Sequence, residues 1–358
     1  MFGFFGKKKA SARLFEDVAR RVLSKEITVH QGVGEVIRYK VGEEVFLEVM
    51  DRVKYFESSN PRLAYALSSL VYETVVNGDY DDLMKALSML TLADLSQDMK
   101  MYEQSIKLYE NCLTTFRLLS DRFVPSRPHP GEGLALGNLG IVYGQLHNHR
   151  KARDHLESAL NISREVGDRK NERRWLHNLG NVYVGLEDYE KAIKYYEQTL
   201  ALSVLFSDKL AEEMCLGELG AHVYAMIGEY YKARECHEKA LKISRQINDR
   251  VGEATQLGDL GRVHMLLGNH QGAIECLEQA LDICRRIGQK ELESDQLRFL
   301  GTAYLNTGEF ERSMKYYSQA LEVSEEVSDK RCMGSALSDL VNFYLTLGDL
   351  EKGEEYLR

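Results

Sequence analysis

The chain is poor in the residues that break or staple a fold. It holds four prolines in 358 residues, three of them between positions 125 and 130. That scarcity excludes a turn-rich or polyproline architecture and leaves long stretches free to be helical. Its six cysteines, at 112, 215, 236, 276, 284 and 332, include no C-x-x-C pair. A disulfide framework and a metal site are therefore not expected; the cysteines read as small buried apolar residues in a reducing, cytosolic compartment. No run approaches the roughly 18 apolar residues of a membrane span. Positive charge is not in excess: the formal net charge is -9 and the pI about 5.7, so the global field that draws nucleic acid is missing. H-E-x-x-H, G-x-S-x-G and the phosphate-binding glycine loop are absent, and Gly131-Glu132-Gly133 with Gly137 has the wrong spacing for a dinucleotide fingerprint. No paired carboxylates stand out. The expectation is a protein that is not an enzyme and takes no cofactor.

What the chain does have is a period. Gly140, Gly180, Gly220, Gly261, Gly301 and Val341 follow one another at steps of 40, 40, 41, 40 and 40 residues, each after a leucine and each before Tyr143, Tyr183, Tyr224, His264, Tyr304 or Tyr344. A fixed period in this range marks a repeat array, whose function resides in an extended surface. Within one unit, Leu176, Leu179, Gly180 and Tyr183 share a helical face and define helix A. A turn at 187–188 follows, where later units place Gly228, Gly268, Gly308 and Gly348, suited to a left-handed helix end. Helix B then packs through Ala192, Tyr196, Thr199 and Leu200. Gly180 and Ala192 make room for close helix approach, and the tyrosines fill the gaps between hairpins. Asp168, Asp249 and Asp329 are expected to cap the next helix A. The 41-residue step, Gly220 to Tyr224, carries an extra residue within a helix, which predicts a π-bulge or kink, or a tolerated insertion.

Four regions follow from this pattern: a flexible apolar and basic terminus (1–10), an N-terminal helical region (11–82), and an array over 83–358 interrupted by a proline-rich loop (123–132). The array's units run about 83–122, 133–172, 173–212, 213–253, 254–293 and 294–333, with a partial unit at 334–358. In the N-terminal region, Leu14, Phe15, Val18 and Val22 form one apolar stripe, and Val45, Phe46, Val49, Met50, Val53 and Phe56 another. Asn60-Pro61 reads as a helix start. Segment 27–42 suits either a helix or a short strand. The opening Met1-Phe2-Gly3-Phe4-Phe5-Gly6-Lys7-Lys8-Lys9 suits a peripheral membrane or partner contact, or a frayed end. The last helix, from Leu350 to Arg358, shows Leu350, Tyr356 and Leu357 without a capping helix, so either another molecule covers it or the chain continues in a longer protein.

The set Leu176, Leu179, Gly180, Tyr183, Tyr189, Ala192, Tyr196 and small Thr199 resembles the tetratricopeptide-repeat family, over roughly 86–358. The 40-residue unit is similar to that of spindle-orientation adaptors, kinesin light chains and bacterial peptide-sensing regulators. The resemblance implies an all-α, right-handed superhelical solenoid of antiparallel helix hairpins, binding a peptide or partner helix in a concave groove lined by helix A. By the same resemblance the groove residues are Asn138, Arg174, His177, Asn178, Asn181, Glu218, Asp259, Arg262, Asp295, Arg298, Asp339 and Asn342, with His222 added from the 41-residue step. Asparagine suits such a site because one amide both donates to a peptide carbonyl and accepts from its N–H. Arg174 and His177 could hold a carboxylate; alternatively, these polar residues are a solvated helix face. Gly137, Gly217 and Gly258, recurring on one face, imply close approach by a neighbouring helix or by a ligand backbone. His147 and His149 read as solvated turn residues. The functional expectation is a cytoplasmic, non-enzymatic scaffold or adaptor with a protein or peptide partner. The alternatives are a peptide-responsive regulator with an N-terminal helical output region, and a scaffold that self-assembles into homo-oligomers through its C-terminal helix.

Overall fold

The computed structural model describes residues 14–24, 26, 43–77, 80–123 and 127–356, and every regular element among them is helical. Segment 27–42 and the Phe/Lys opening lie outside the described residues. The chain divides into two compact units, residues 1–186 and 187–358.

In the first unit a helix over 14–23 and the helices Glu43–Ser59 and Pro61–Asn77 share one core. Phe15, Val18, Phe46, Val49 and Val53 pack there with Leu63, Leu67 and Leu70. Asn60 accepts a hydrogen bond from the Leu63 amide at 3.1 Å, which fixes the start of the third helix. Antiparallel pairs follow: Asp82–Asp98 with Tyr102–Phe123, and Pro130–Gln145 with His149–Val166, before Arg169–Gly185. The hairpins close tightly because helix A offers glycine to helix B. A Cβ on Gly140 would lie 2.5 Å from Leu156 Cγ and 3.1 Å from the Ala152 carbonyl. His129 caps Pro130–Gln145 by accepting from the Gly131 amide at 3.0 Å, and it stacks on Phe116.

The second unit repeats the scheme with Tyr189–Leu205, Lys209–Glu218, Tyr230–Ile247, Arg250–Leu266, His270–Ile287, Lys290–Asn306, Phe310–Val327, Lys330–Leu347 and the short Leu350–Glu355. Here Gly261 meets Leu277 as Gly140 meets Leu156. The extra residue of the 41-residue step is absorbed by a π-helical turn, Leu219–Tyr224. Gly228, Gly268, Gly308 and Gly348 stand at φ 79°, 74°, 78° and 79°, the left-handed conformation that ends a helix. Asp249 and Asp329 accept from the first turns of their helices, as Asp168 does in the first unit. At the end of the described chain Tyr356 stacks on Tyr344 at 5.7 Å, while Leu350 is exposed.

One recurring device is not evident from the apolar pattern. The seventh residue before the motif leucine is a glutamate gripped by two cations. Glu172 takes Arg164 (2.9 Å) and Arg169 (2.7 Å) in the first unit. In the second, Glu253 takes Arg245 (2.8 Å) and Arg250 (2.7 Å), and Glu293 takes Arg285 (2.9 Å) and Lys290 (3.3 Å). Burial opposes ionisation of Glu172 and Glu253, but the paired guanidiniums outweigh it and hold both carboxyls below the usual range. Each clamp staples the end of a B helix to the start of the next A helix.

Candidate functional site

Within each unit, successive A helices touch one another and form a layer of their own. Their contact follows a size rule. The residue two before the motif leucine is Gly137, Gly217 or Gly258. A Cβ on Gly137 would lie 2.3 Å from the Trp175 ring. Equivalent Cβ atoms on Gly217 and Gly258 would lie 2.8 Å from Gln256 and 2.5 Å from Gln296. The close approach is thus made by a side chain of the next A helix. Where the position is large, as at Arg298, the facing residue is small, the fully buried Ala336. The pairing was visible only as a size alternation between positions two and four before the leucine. Trp175 is fully buried, and its indole N–H donates to Ser163 Oγ at 3.1 Å.

In the first unit the A-helix layer carries a polar knot. Asp94, on Asp82–Asp98, accepts from the Tyr109 hydroxyl and from Asn138 Nδ2 at 2.8 Å. Asn138 is therefore buried, with its amide nitrogen committed to a neighbouring helix. Burial pushes the Asp94 carboxyl up to about 6, against the hydrogen bonds of Tyr109 and Asn138 and the nearby charge of Arg174. Neither Asp94 nor Tyr109 was singled out by the repeat motif; a carboxylate on an otherwise apolar face was the available signal. Arg174, Asn178 and Asn181 share one face of Arg169–Gly185. Arg174 and Asn181 are exposed, and Asn178 is half-buried. The Arg174 guanidinium lies 4.8 Å from the Trp175 ring centroid, and the Asn178 amide donates to the Arg174 carbonyl at 2.8 Å. His177 is half-buried, and burial, with Arg173 beside it, lowers its pKa.

In the second unit the corresponding positions pair charge with charge. Arg298 Nε donates to Asp339 at 2.6 Å, one A helix to the next, and its NH1 donates to Asp295 at 3.0 Å. Arg262 bonds Asp259 at 3.0 Å. The guanidiniums of Arg262 and Arg298 lie 5.3 and 5.8 Å from the Phe299 centroid, an aromatic residue the motif did not single out. Burial raises the Asp339 carboxyl, partly offset by Arg298. Glu218, also raised by burial, lies 3.5 Å from exposed His222. Asn342 is exposed on the last A helix. Deeper, Gln256 Nε2 donates to buried Glu213 at 2.7 Å, and His237 Nδ1 lies 2.8 Å from Gln256 Oε1.

The proline segment borders a cavity of about 610 Å³ lined by Leu119, Ser120, Arg127, His129 and Asp168 among others. Its side chains already serve the fold: His129 and Asp168 cap helices, and Arg127 donates to the Val166 carbonyl at 2.9 Å. Among the described residues, no group of three His, Cys, Asp or Glu could hold a metal ion, and no helix is long and apolar enough to cross a membrane.

Comparison with known proteins agrees with this geometry. Tetratricopeptide-repeat patterns match residues 128–203, 219–286 and 299–327. The family description of anaphase-promoting complex subunit 5 matches residues 50–124. No curated protein matches the chain. Among solved structures, the apo form of the quorum sensor NprR from B. thuringiensis superposes with a TM-score of 0.68 at 16% identity, covering 96% of each chain. Aspartyl phosphate phosphatase F from Bacillus subtilis gives a TM-score of 0.61 at 14% identity, covering 98% of this chain and 91% of that one. A Rap protein complexed with competence and sporulation factor gives 0.54 at 15%, covering 88% and 96%. At these identities the likeness is one of fold.

Proposed function

The chain belongs to the tetratricopeptide-repeat family, and on that premise we propose that it is a non-enzymatic scaffold whose A-helix face binds a peptide or partner helix. The observation that carries this reading is the row Arg174, Asn178 and Asn181 on one face of Arg169–Gly185, with two of the three exposed. The Asn178 amide nitrogen is turned back onto its own helix, which leaves its carbonyl oxygen to accept a peptide N–H, while Arg174 supplies a cation for a carboxylate. Asn138, held by Asp94, acts as support for this face. Binding of this kind falls near micromolar affinity, about -8 kcal/mol. The double substitution Asn178→Ala with Asn181→Ala is expected to abolish partner capture by the whole chain while leaving the melting temperature unchanged. Capture that survives would refute the assignment.

A second reading, a peptide-responsive regulator, draws on the quorum sensor and the Rap complex, whose folds match both the N-terminal region and the array. Small-angle scattering with and without a bound peptide separates the two: a change in dimensions supports the regulator, and constant dimensions support the passive scaffold.

A further inference from the structure

One corner of the second unit departs from the rest of the array. Where Tyr189–Leu205 turns into Lys209–Glu218, the consecutive side chains Val204, Leu205 and Phe206 are exposed, and Leu210 and Met214 follow on the next helix. Their exposures run from 47% at Phe206 to 71% at Leu205. At the equivalents of Val204 and Leu205 the other hairpins carry Arg117 and Leu118, Arg164 and Glu165, Arg245 and Gln246, Arg285 and Arg286, and Glu325 and Glu326, so each keeps a charged residue where this corner has Val204. The glutamate clamp is consequently half-built here. Glu212 keeps its first-turn cation, Lys209 at 2.7 Å, but Val204 stands where its sibling glutamates meet an arginine from the preceding helix. Glu213 lies next to it, buried, and burial pushes its carboxyl up. The corner therefore combines five exposed apolar side chains, close in sequence, with a carboxylate short of one cation. An exposed apolar cluster rimmed by such charge is the mark of a docking site.

The chemistry of the occupant follows from both halves: apolar side chains to cover the corner, then a basic group to complete the Glu212 clamp. Residues 2–9, Phe-Gly-Phe-Phe-Gly-Lys-Lys-Lys, carry that order within an otherwise acidic chain. They lie outside the described residues, and their sequence alone makes the match. We propose that this corner receives the opening segment, residues 2–9, of a second copy of the chain, its phenylalanines over Leu205 and Phe206 and a lysine supplying the missing cation to Glu212. Reciprocal exchange between two copies closes a dimer.

Sedimentation of the full chain from about 1 to about 100 μM tests this, a span suited to a micromolar contact. The expected result is a mass that rises from monomer to dimer. Deletion of residues 2–9 should leave a monomer throughout. Val204→Arg with Leu205→Glu gives the corner the Arg164-Glu165 pair of a sibling hairpin; it should weaken association by about tenfold or more without lowering the melting temperature. A synthetic peptide of residues 2–9 should dissociate the dimer. A monomer at every concentration overturns the proposal. So does association that persists after the deletion, or that is unchanged by the corner substitutions. The readout is self-association, so its failure leaves the peptide-binding reading untouched.

Discussion

The two units solve the same packing problem with different chemistry. In both, consecutive A helices must approach closely, and in both a small residue on one helix admits a large one from the next. In the first unit the large residue is Trp175, and the polar link between A helices is a neutral amide on a buried carboxyl, Asn138 on Asp94. In the second it is glutamine over Gly217 and Gly258, and the link becomes an ion pair, Arg298 on Asp339. The difference shows that the repeat constrains size at these positions and leaves polarity free. That freedom is what a binding family needs: the face can change its chemistry without disturbing the stack.

The largest expected effect tests the apolar version of the contact. Trp175→Ala removes a fully buried indole that fills the space over Gly137, and it should cost about 3–5 kcal/mol in denaturant unfolding. A loss below about 1 kcal/mol would show that the first unit does not depend on this packing.

The buried carboxyl comes next. Asp94 is held up to about 6, against an ordinary value of 3.8. Between those values the folded chain keeps a proton that the unfolded chain releases. The stabilising contribution is therefore present below about pH 4 and lost as pH rises through about 6, amounting to about 3 kcal/mol at most. Asp94→Asn should remove this slope from a melting-temperature profile. A wild-type profile with the same slope as that of Asp94→Asn over this window would contradict the assignment.

The smallest effect sharpens the ionic version. Arg298→Ala leaves half-buried Asp339 without its cation, and Asp295 with only Arg331 at 3.8 Å, and should cost about 1–3 kcal/mol. Arg164→Ala removes a half-exposed arginine from a glutamate that keeps Arg169 at 2.7 Å, and should cost less than about 1 kcal/mol. Equal costs in thermal unfolding would mean that pairs between A helices contribute no more than the glutamate clamps.

Much of the fold was legible because its determinants are local. Turn glycines 228, 268, 308 and 348, the capping Asp168, Asp249 and Asp329, and the π-turn at the 41-residue step act within a few residues of themselves. The glutamate clamps were legible too, at spacings of three and eight, but an apolar motif does not draw attention to them. The site was less legible. Asn138 reads as a groove residue from its place beside the Leu-Gly pair, yet it turns to Asp94, 44 residues earlier. The alternating charges at Asp259, Asp295, Arg298 and Asp339 read as an open surface for a partner, yet Arg298 binds both its neighbour Asp295 and Asp339, the latter 41 residues further on.

The sequence by itself determined the period, the helix ends and the small residues that let helices approach, because each depends on backbone conformation or side-chain volume at its own position. Only the tertiary structure decided which polar groups face one another. Stacking brings together residues one whole repeat apart, and a hydrogen bond is won or lost over less than an ångström, a distance no spacing in a linear chain can specify.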